Sequence, residues 1–157
     1  MSVTSSKLKK IALGADHGGF SLKETLKEHL KQQGSDYQIY DFGTYNEESV
    51  DYPDFANSVV DAIRKGECEL GILCCGTGIG ISMMANRYKG IRAAVVYDEY
   101  TARMSKAHNN ANVLCLGGRT IAPEIAKKWV DIWLHTSFKE GRHTRRVSKL
   151  DNDFLLL

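Results

Sequence analysis

Proline is nearly absent from this chain: 2 in 157 residues, against 14 glycines. That shortage excludes a Pro-rich linker or polyproline spacer and leaves the turns to glycine. Charge of one sign is also missing. With 21 basic and 19 acidic side chains the net charge is +2, too small to mark a nucleic-acid binder or a membrane-surface protein. No apolar run approaches the roughly 18 to 20 residues of a membrane span. Met1 to Lys10 is polar, with no stretch of signal-peptide length. The 4 cysteines (Cys68, Cys74, Cys75, Cys115) form no CxxC pair, and the 5 histidines form no HxxxH pair. Neither a disulfide framework nor a metal site is expected, no cofactor is implied, and free thiols suit a reducing cytoplasm. What is present is ordinary for a globular chain. The composition, 43% hydrophobic and 25% charged, predicts one domain over 1–157 with one core.

Hydrophobic patterning alternates between two periods. Ile11, Ala12 and Leu13 form a short strand running into Gly14-Ala15-Asp16-His17-Gly18-Gly19. Leu22, Leu26 and Leu30 then recur every fourth residue with lysines between them, an amphipathic helix closed by Gly34. Residues 37–42 read as a second strand, and Asp51-Tyr52-Pro53-Asp54 as a helix start. Phe55, Val59, Ala62 and Ile63 share that helix's inner face, and Gly66 ends it. The run 70–75 is apolar throughout, as in a strand buried on both faces. Further helices are predicted over 81–87, from Asp98 to Ala107, and from Pro123 through Ile125, Trp129, Ile132 and Trp133. Strands are predicted over 91–97 and 113–116. Five strands alternating with helices give an α/β fold, a five-stranded parallel sheet covered on both faces. Ligands of such sheets bind beyond the carboxyl ends of the strands, which points to 14–19, 43–52, 75–80, 97–98 and 117–120.

The strongest chemical signal is Cys75-Gly76-Thr77-Gly78-Ile79-Gly80, set between a buried strand and a helix. Three glycines in five residues let backbone N–H groups converge on an anion. The spacing is neither a P-loop nor a dinucleotide fingerprint, since Ile81 stands where the third fingerprint glycine would be. A nest for an enediolate or carboxylate fits better, although a tight turn alone would also call for glycine. Cys75 faces the positive end of the following helix, a position that favours a thiolate near neutral pH. Cys68, Cys74 and Cys115 read as inert core residues. Asp16 and His17 could handle ligand hydroxyls or phosphate, or could serve only as a capping Asp and a solvated His. His108-Asn109 follows a helix, His29 and His135 read as residues without a role, and Arg119 follows Gly117-Gly118 at a strand end. In Gly141-Arg142-His143-Thr144-Arg145-Arg146, Arg142 and Arg146 are four apart and would share one face of a helical turn, able to clamp a phosphate. No aromatic interleaving supports nucleic acid there.

Taken together and in this order, these segments closely resemble the ribose-5-phosphate isomerase B type of the ribose/galactose-phosphate isomerase family. They are 14–17, Asp51-Tyr52-Pro53, 75–80, His108-Asn109-Asn110-Ala111-Asn112, Gly117-Gly118-Arg119 and Gly141-Arg142-His143, spread over about 10–150. The resemblance implies a Rossmann-like three-layer αβα sandwich and interconversion of ribose 5-phosphate and ribulose 5-phosphate without metal, in the non-oxidative pentose phosphate pathway. It implies a homodimer with shared active sites, or a tetramer built on it, and no nucleic-acid or membrane partner. By that resemblance Cys75 is the base and Gly76, Thr77, Gly78, Ile79 and Gly80 stabilise a cis-enediolate. His108, with Thr77 nearby, is the acid of ring opening. Asp16, His17 and Asn109 bind substrate, and Arg119, Arg142 and Arg146 hold the phosphate. A family branch with a glutamate base just after the loop is set aside, because Ile81 stands there and Cys75 is present. The extension 1–7 and the tail 151–157 lie outside the shared pattern. Two rival readings share the fold: an isomerase of a six-carbon phosphate such as allose or galactose 6-phosphate, and a non-catalytic phosphometabolite-binding module.

Overall fold

A computed structural model of the protein describes residues 8–152. The extension 1–7 therefore lies outside the described residues, and of the tail 151–157 only Asp151 and Asn152 lie within them. Five strands form one sheet: β1 (Lys9–Ala15), β2 (Tyr37–Asp41), β3 (Leu70–Cys75), β4 (Ala93–Val95) and β5 (Val113–Gly117). All neighbours run parallel, in the order β2-β1-β3-β5-β4. The alternation of a strand splits the core in two. Ile11, Leu13, Ile72 and Leu114 face the layer of α1 (Phe20–Gln32), α4 (Glu99–Ala107) and α5 (Pro123–His135). Ala12, Leu73, Val113 and Cys115 face that of α2 (Tyr52–Arg64) and α3 (Ile79–Ala85). The expected three-layer α/β arrangement is thus present. The chain leaves β1 toward β2 on one side and returns to β3 on the other, so the carboxyl ends of β1 and β3 flank a topological switch point.

Several boundaries differ from the sequence expectation for identifiable reasons. β4 covers 93–95 rather than 91–97, because it is an edge strand with a ladder on one side only. Its outer side is closed by a side chain: the Ala93 N–H donates to Asn86 Oδ1, and Asn86 Nδ2 donates to the Ala93 carbonyl, both at 2.8 Å. α3 begins at Ile79, two residues before the predicted start, because Gly78 turns the chain at φ 79° and serves as its N-cap. A further helix, α6 (Arg142–Leu150), extends over the segment in which the sequence suggested only a helical turn. Lys23, one of the lysines between the leucines of α1, is 1% exposed. Its ammonium meets Asp41 at 2.7 Å and Glu24 at 2.8 Å, and Lys27 adds a second contact to Asp41 at 2.7 Å. Burial alone would raise the Asp41 carboxyl, but hydrogen bonds from Lys23, Lys27 and the Gly43 N–H hold it below the ordinary carboxylate range. His29 likewise has a structural role, its Nε2 lying 2.9 Å from Asp131 and tying α1 to α5.

Candidate active site

At the carboxyl edge of the sheet three strand ends close into one rim. Gly19 has no room for a side chain, since a Cβ there would overlap the backbone of Cys74. At Gly118 a Cβ would strike the Gly18 carbonyl. The turns after β1, β3 and β5 therefore touch backbone to backbone, which brings Asp16, Cys75 and Arg119 together. Asp16 is 7% exposed and its Oδ1 accepts the Gly19 N–H at 3.1 Å, so the capping part of its expected behaviour is present. His17 Nδ1 accepts the Val50 N–H at 3.2 Å, which leaves Nε2 as the nitrogen able to carry a proton toward a ligand.

Cys75 ends β3, is 4% exposed, and its Sγ accepts the Gly78 N–H at 3.1 Å. Burial pushes the Cys74 and Cys115 thiols up, each further raised by the other cysteines nearby. Within the loop the Ile79 N–H donates to Thr77 Oγ1 at 3.2 Å, and the Arg119 guanidinium lies over Gly76, its Nη1 3.1 Å from where a Cβ would stand. A cation thus borders the glycine nest. Tyr52, exposed at the start of α2, packs its ring over Gly80.

The remaining predicted residues stand at the opposite edge. Because the strands are parallel, a residue that follows a strand lies at the carboxyl edge, and one that follows a helix lies at the amino edge. His108 is the C-cap of α4 and precedes β5, whereas Cys75 pairs with Gly117 at the end of β5. Four strand steps, about 13 Å, separate the two edges. The turn that carries His108 and the exposed Asn109 is firmly held. Asn110 adopts φ 46°, Arg92 Nε donates to the Asn110 carbonyl at 3.0 Å, and Lys106 Nζ donates to the Ala111 carbonyl at 3.3 Å. Asn112 Oδ1 accepts the Arg92 N–H at 2.8 Å.

α6 meets this turn through His143, whose ring stacks on His108 with centroids 4.2 Å apart and planes at 10°. Burial and the positive charge of His108, Arg142, Arg146 and Lys139 hold the His143 imidazole below its ordinary range. Arg142 and Arg146 are exposed on α6, one turn apart as anticipated. One chain therefore assembles two groups: Asp16, His17, Cys75, the loop 76–80 and Arg119 at one edge, and His108, Asn109, Arg142 and Arg146 at the other. Among the described residues, no three His, Cys, Asp or Glu side chains converge as a metal site would require.

A model of the family described as Ribose/Galactose Isomerase matches residues 11–150. The chain belongs to the ribose/galactose isomerase family. Ribose-5-phosphate isomerase B of Escherichia coli is 46% identical over 143 residues, covering 91% of this chain and 95% of that protein. The solved ribose-5-phosphate isomerase B of Clostridium thermocellum superposes with a TM-score of 0.88 at 51% identity, covering 90% of this chain and 95% of that one. The enzyme of that name from Thermotoga maritima gives the same score and identity over 91% and 97%. The family match spans both residue groups, the rim at the carboxyl edge and the turn and helix at the amino edge. The structure adds two side chains to these groups that the motifs do not single out for a role, Tyr52 and His143. Both sit in segments that carried the resemblance, and their signal was proximity: an aromatic at a helix start facing a glycine loop, and a histidine between two arginines.

Proposed function

We propose that this ribose/galactose isomerase family member is an aldose–ketose isomerase that interconverts ribose 5-phosphate and ribulose 5-phosphate through a cis-enediolate without metal, with Cys75 as the base. The observation that carries the reading is the buried Cys75 thiol at the switch point, accepting the Gly78 N–H beneath a glycine nest bordered by Arg119. The family supports the substrate: the relatives above bear that name, and a solved Mycoplasma genitalium enzyme holds bound ribulose 5-phosphate.

In this mechanism Arg119, Arg142 and Arg146 hold the phosphate, with Asp16, His17 and Asn109 binding the rest of the sugar. His108 protonates the ring oxygen as the furanose opens, with Thr77 beside the reacting end. The Cys75 thiolate removes the C2 proton, and the C2–H electron pair forms the C1–C2 double bond while the carbonyl electrons move to O1. The N–H groups of 76–80 that the loop does not itself use stabilise the enediolate oxygens. A proton passes from O2 to O1, and Cys75 returns its proton to C1 as the ketone forms at C2.

Because His108 and Cys75 lie at opposite edges of the sheet, this chemistry requires two copies, each lending its α4–α6 end to the other's rim. The four cysteines are all free and buried, in keeping with a reducing cytoplasm as the working compartment. The test is turnover of ribose 5-phosphate in EDTA, wild type beside Cys75→Ala. Activity in wild type that disappears in the variant is expected, and undiminished activity in the variant would remove Cys75 as base. A relative from Pectobacterium atrosepticum named D-erythrulose-4-phosphate isomerase is 41% identical over 140 residues, so substrate length is measured in the same assay. Rates are expected to peak at five carbons over four and six.

A further inference from the structure

Beneath the amino edge of the sheet lies a cavity of about 360 Å³ lined by Lys9, Glu69, Leu70, Lys106, Leu134 and Thr136. The proposed chemistry uses none of these residues. Lys106, in the last turn of α4, is half-buried over the face of Trp133, its ammonium 5.3 Å from the ring centroid. Its hydrogen bond is to a neutral group, the Ala111 carbonyl, and among the described residues it forms no ion pair with a carboxylate. Lys9 reaches the same cavity, donating at 3.5 Å to the Leu134 carbonyl. Arg92, immediately before β4, pairs with Asp151 at 3.1 Å. Glu69 is the acidic group on the cavity wall. Burial first, and then the charges of Lys9 and Arg92, bring the Lys106 amine down to about 8. A cavity-facing amine that is readily neutral has the character of a nucleophile.

We propose that Lys106 is a covalent acylation site, its amine taking the acyl group of a small acyl phosphate admitted to the cavity beside Lys9. The neutral nitrogen attacks the carbonyl carbon. The N–C bond forms as the C–O bond to phosphate breaks, phosphate departs with that electron pair, and the surplus amine proton passes to solvent. Nothing is oxidised or reduced. Lys9, on the wall of the same cavity, favours a phosphate-bearing donor. The cavity admits a donor the size of acetyl phosphate. Acylation removes the positive charge at the carboxyl end of α4, immediately before His108, and with it a favourable partner of the helix dipole. The modification is thus a way to slow the enzyme from the amino edge. This second consequence rests on the isomerase reading, whereas the acylation itself does not.

The experiment incubates the full chain with acetyl phosphate between pH 6.5 and 9 and quantifies acetylation at each lysine by peptide mass spectrometry. Lys106 is expected to react about tenfold faster at neutral pH than the exposed Lys65 and Lys149, its larger neutral fraction being offset in part by the lower nucleophilicity of a less basic amine. Its rate is expected to level off above about 8, and the advantage to vanish in urea. Reaction at Lys106 no faster than at Lys65 and Lys149 would overturn the proposal. Equal labelling by acetyl coenzyme A at matched reactivity would overturn the phosphate-donor assignment. For the regulatory part, Lys106→Gln is expected to lower kcat about two- to fivefold, the size of one charge at a helix end, with Lys106→Arg restoring it. Equal kcat in both variants would overturn that part. Absence of turnover in the unmodified protein would count against the isomerase reading and leave the labelling result intact.

Discussion

The two edges of the sheet are built in opposite ways. The carboxyl edge is backbone: glycines pressed against neighbouring turns, a thiol answered by an amide N–H, and a guanidinium laid over Gly76. The amino edge is side chain: two stacked imidazoles, an asparagine-rich turn clamped by Arg92 and Lys106, and arginines along an exposed helix. A backbone rim cannot adjust, which suits stabilisation of charge at one fixed place. A rim of long cations can adapt, which suits holding a phosphate at the far end of a substrate. On the proposed reading neither edge alone is a complete site, and the family match spans both.

That contrast can be broken experimentally. The largest effect is expected from Cys75→Ala, a loss of turnover of about 10²–10⁴-fold with little change in melting temperature, read from kinetics and circular dichroism together. Lys23→Met should follow, costing about 3 kcal/mol in urea unfolding, at the low end for a broken buried pair because Lys27 still meets Asp41. Stability equal to wild type would mean the cluster beneath the carboxyl edge is solvated. Gly19→Ala comes next at about 1–3 kcal/mol, because a methyl must displace the Cys74 backbone. At the amino edge the exposed Asn109→Ala should stay within about 0.5 kcal/mol. If both cost the same, the difference in rigidity between the edges is wrong. Arg142→Ala should raise KM about tenfold, the value of one charge-assisted hydrogen bond, and leave kcat nearly unchanged.

The smallest effect, in pH dependence, has the same sign at the two edges but falls in different pH windows: stability rises with pH in both. The Asp41 carboxyl sits lower in the folded protein than in the unfolded chain, so its contribution is complete above about pH 4 and is lost as pH falls through the folded value. The Lys106 amine is lowered to about 8, so between about 8 and 10 the unfolded chain binds more protons and stability rises with pH. Denaturation midpoints followed from pH 3 to 10 should show both slopes, and Lys106→Met should flatten only the alkaline one.

Most of the sheet was legible because buried parallel strands leave unbroken apolar runs, as in 70–75, and because Leu22, Leu26 and Leu30 keep a helical period. The edge strand was overextended because apolar residues continue past the point where it has a ladder partner. The burial of Lys23 is not legible in the sequence, because periodicity reports which face a residue is on, not whether Asp41 will arrive from another element to neutralise it. The candidate residues could be named from the sequence, but their division between two edges was not drawn from it. The information was there: Cys75 follows a strand and His108 follows a helix, which in a parallel sheet places them apart. His143 was missed because its partner lies 35 positions earlier and nothing local marks a ring stack.

The claim on which the rest depends is that one working site takes Cys75 from one copy and His108 from another. Cys75→Ala and His108→Ala chains, each inactive alone, should be mixed after dissociation or coexpressed, and turnover measured on ribose 5-phosphate. Random pairing into dimers places one intact site in half of them, so about a quarter of wild-type activity is predicted. Mixtures no more active than the separate variants, with exchange of subunits verified by mass, would contradict the shared site.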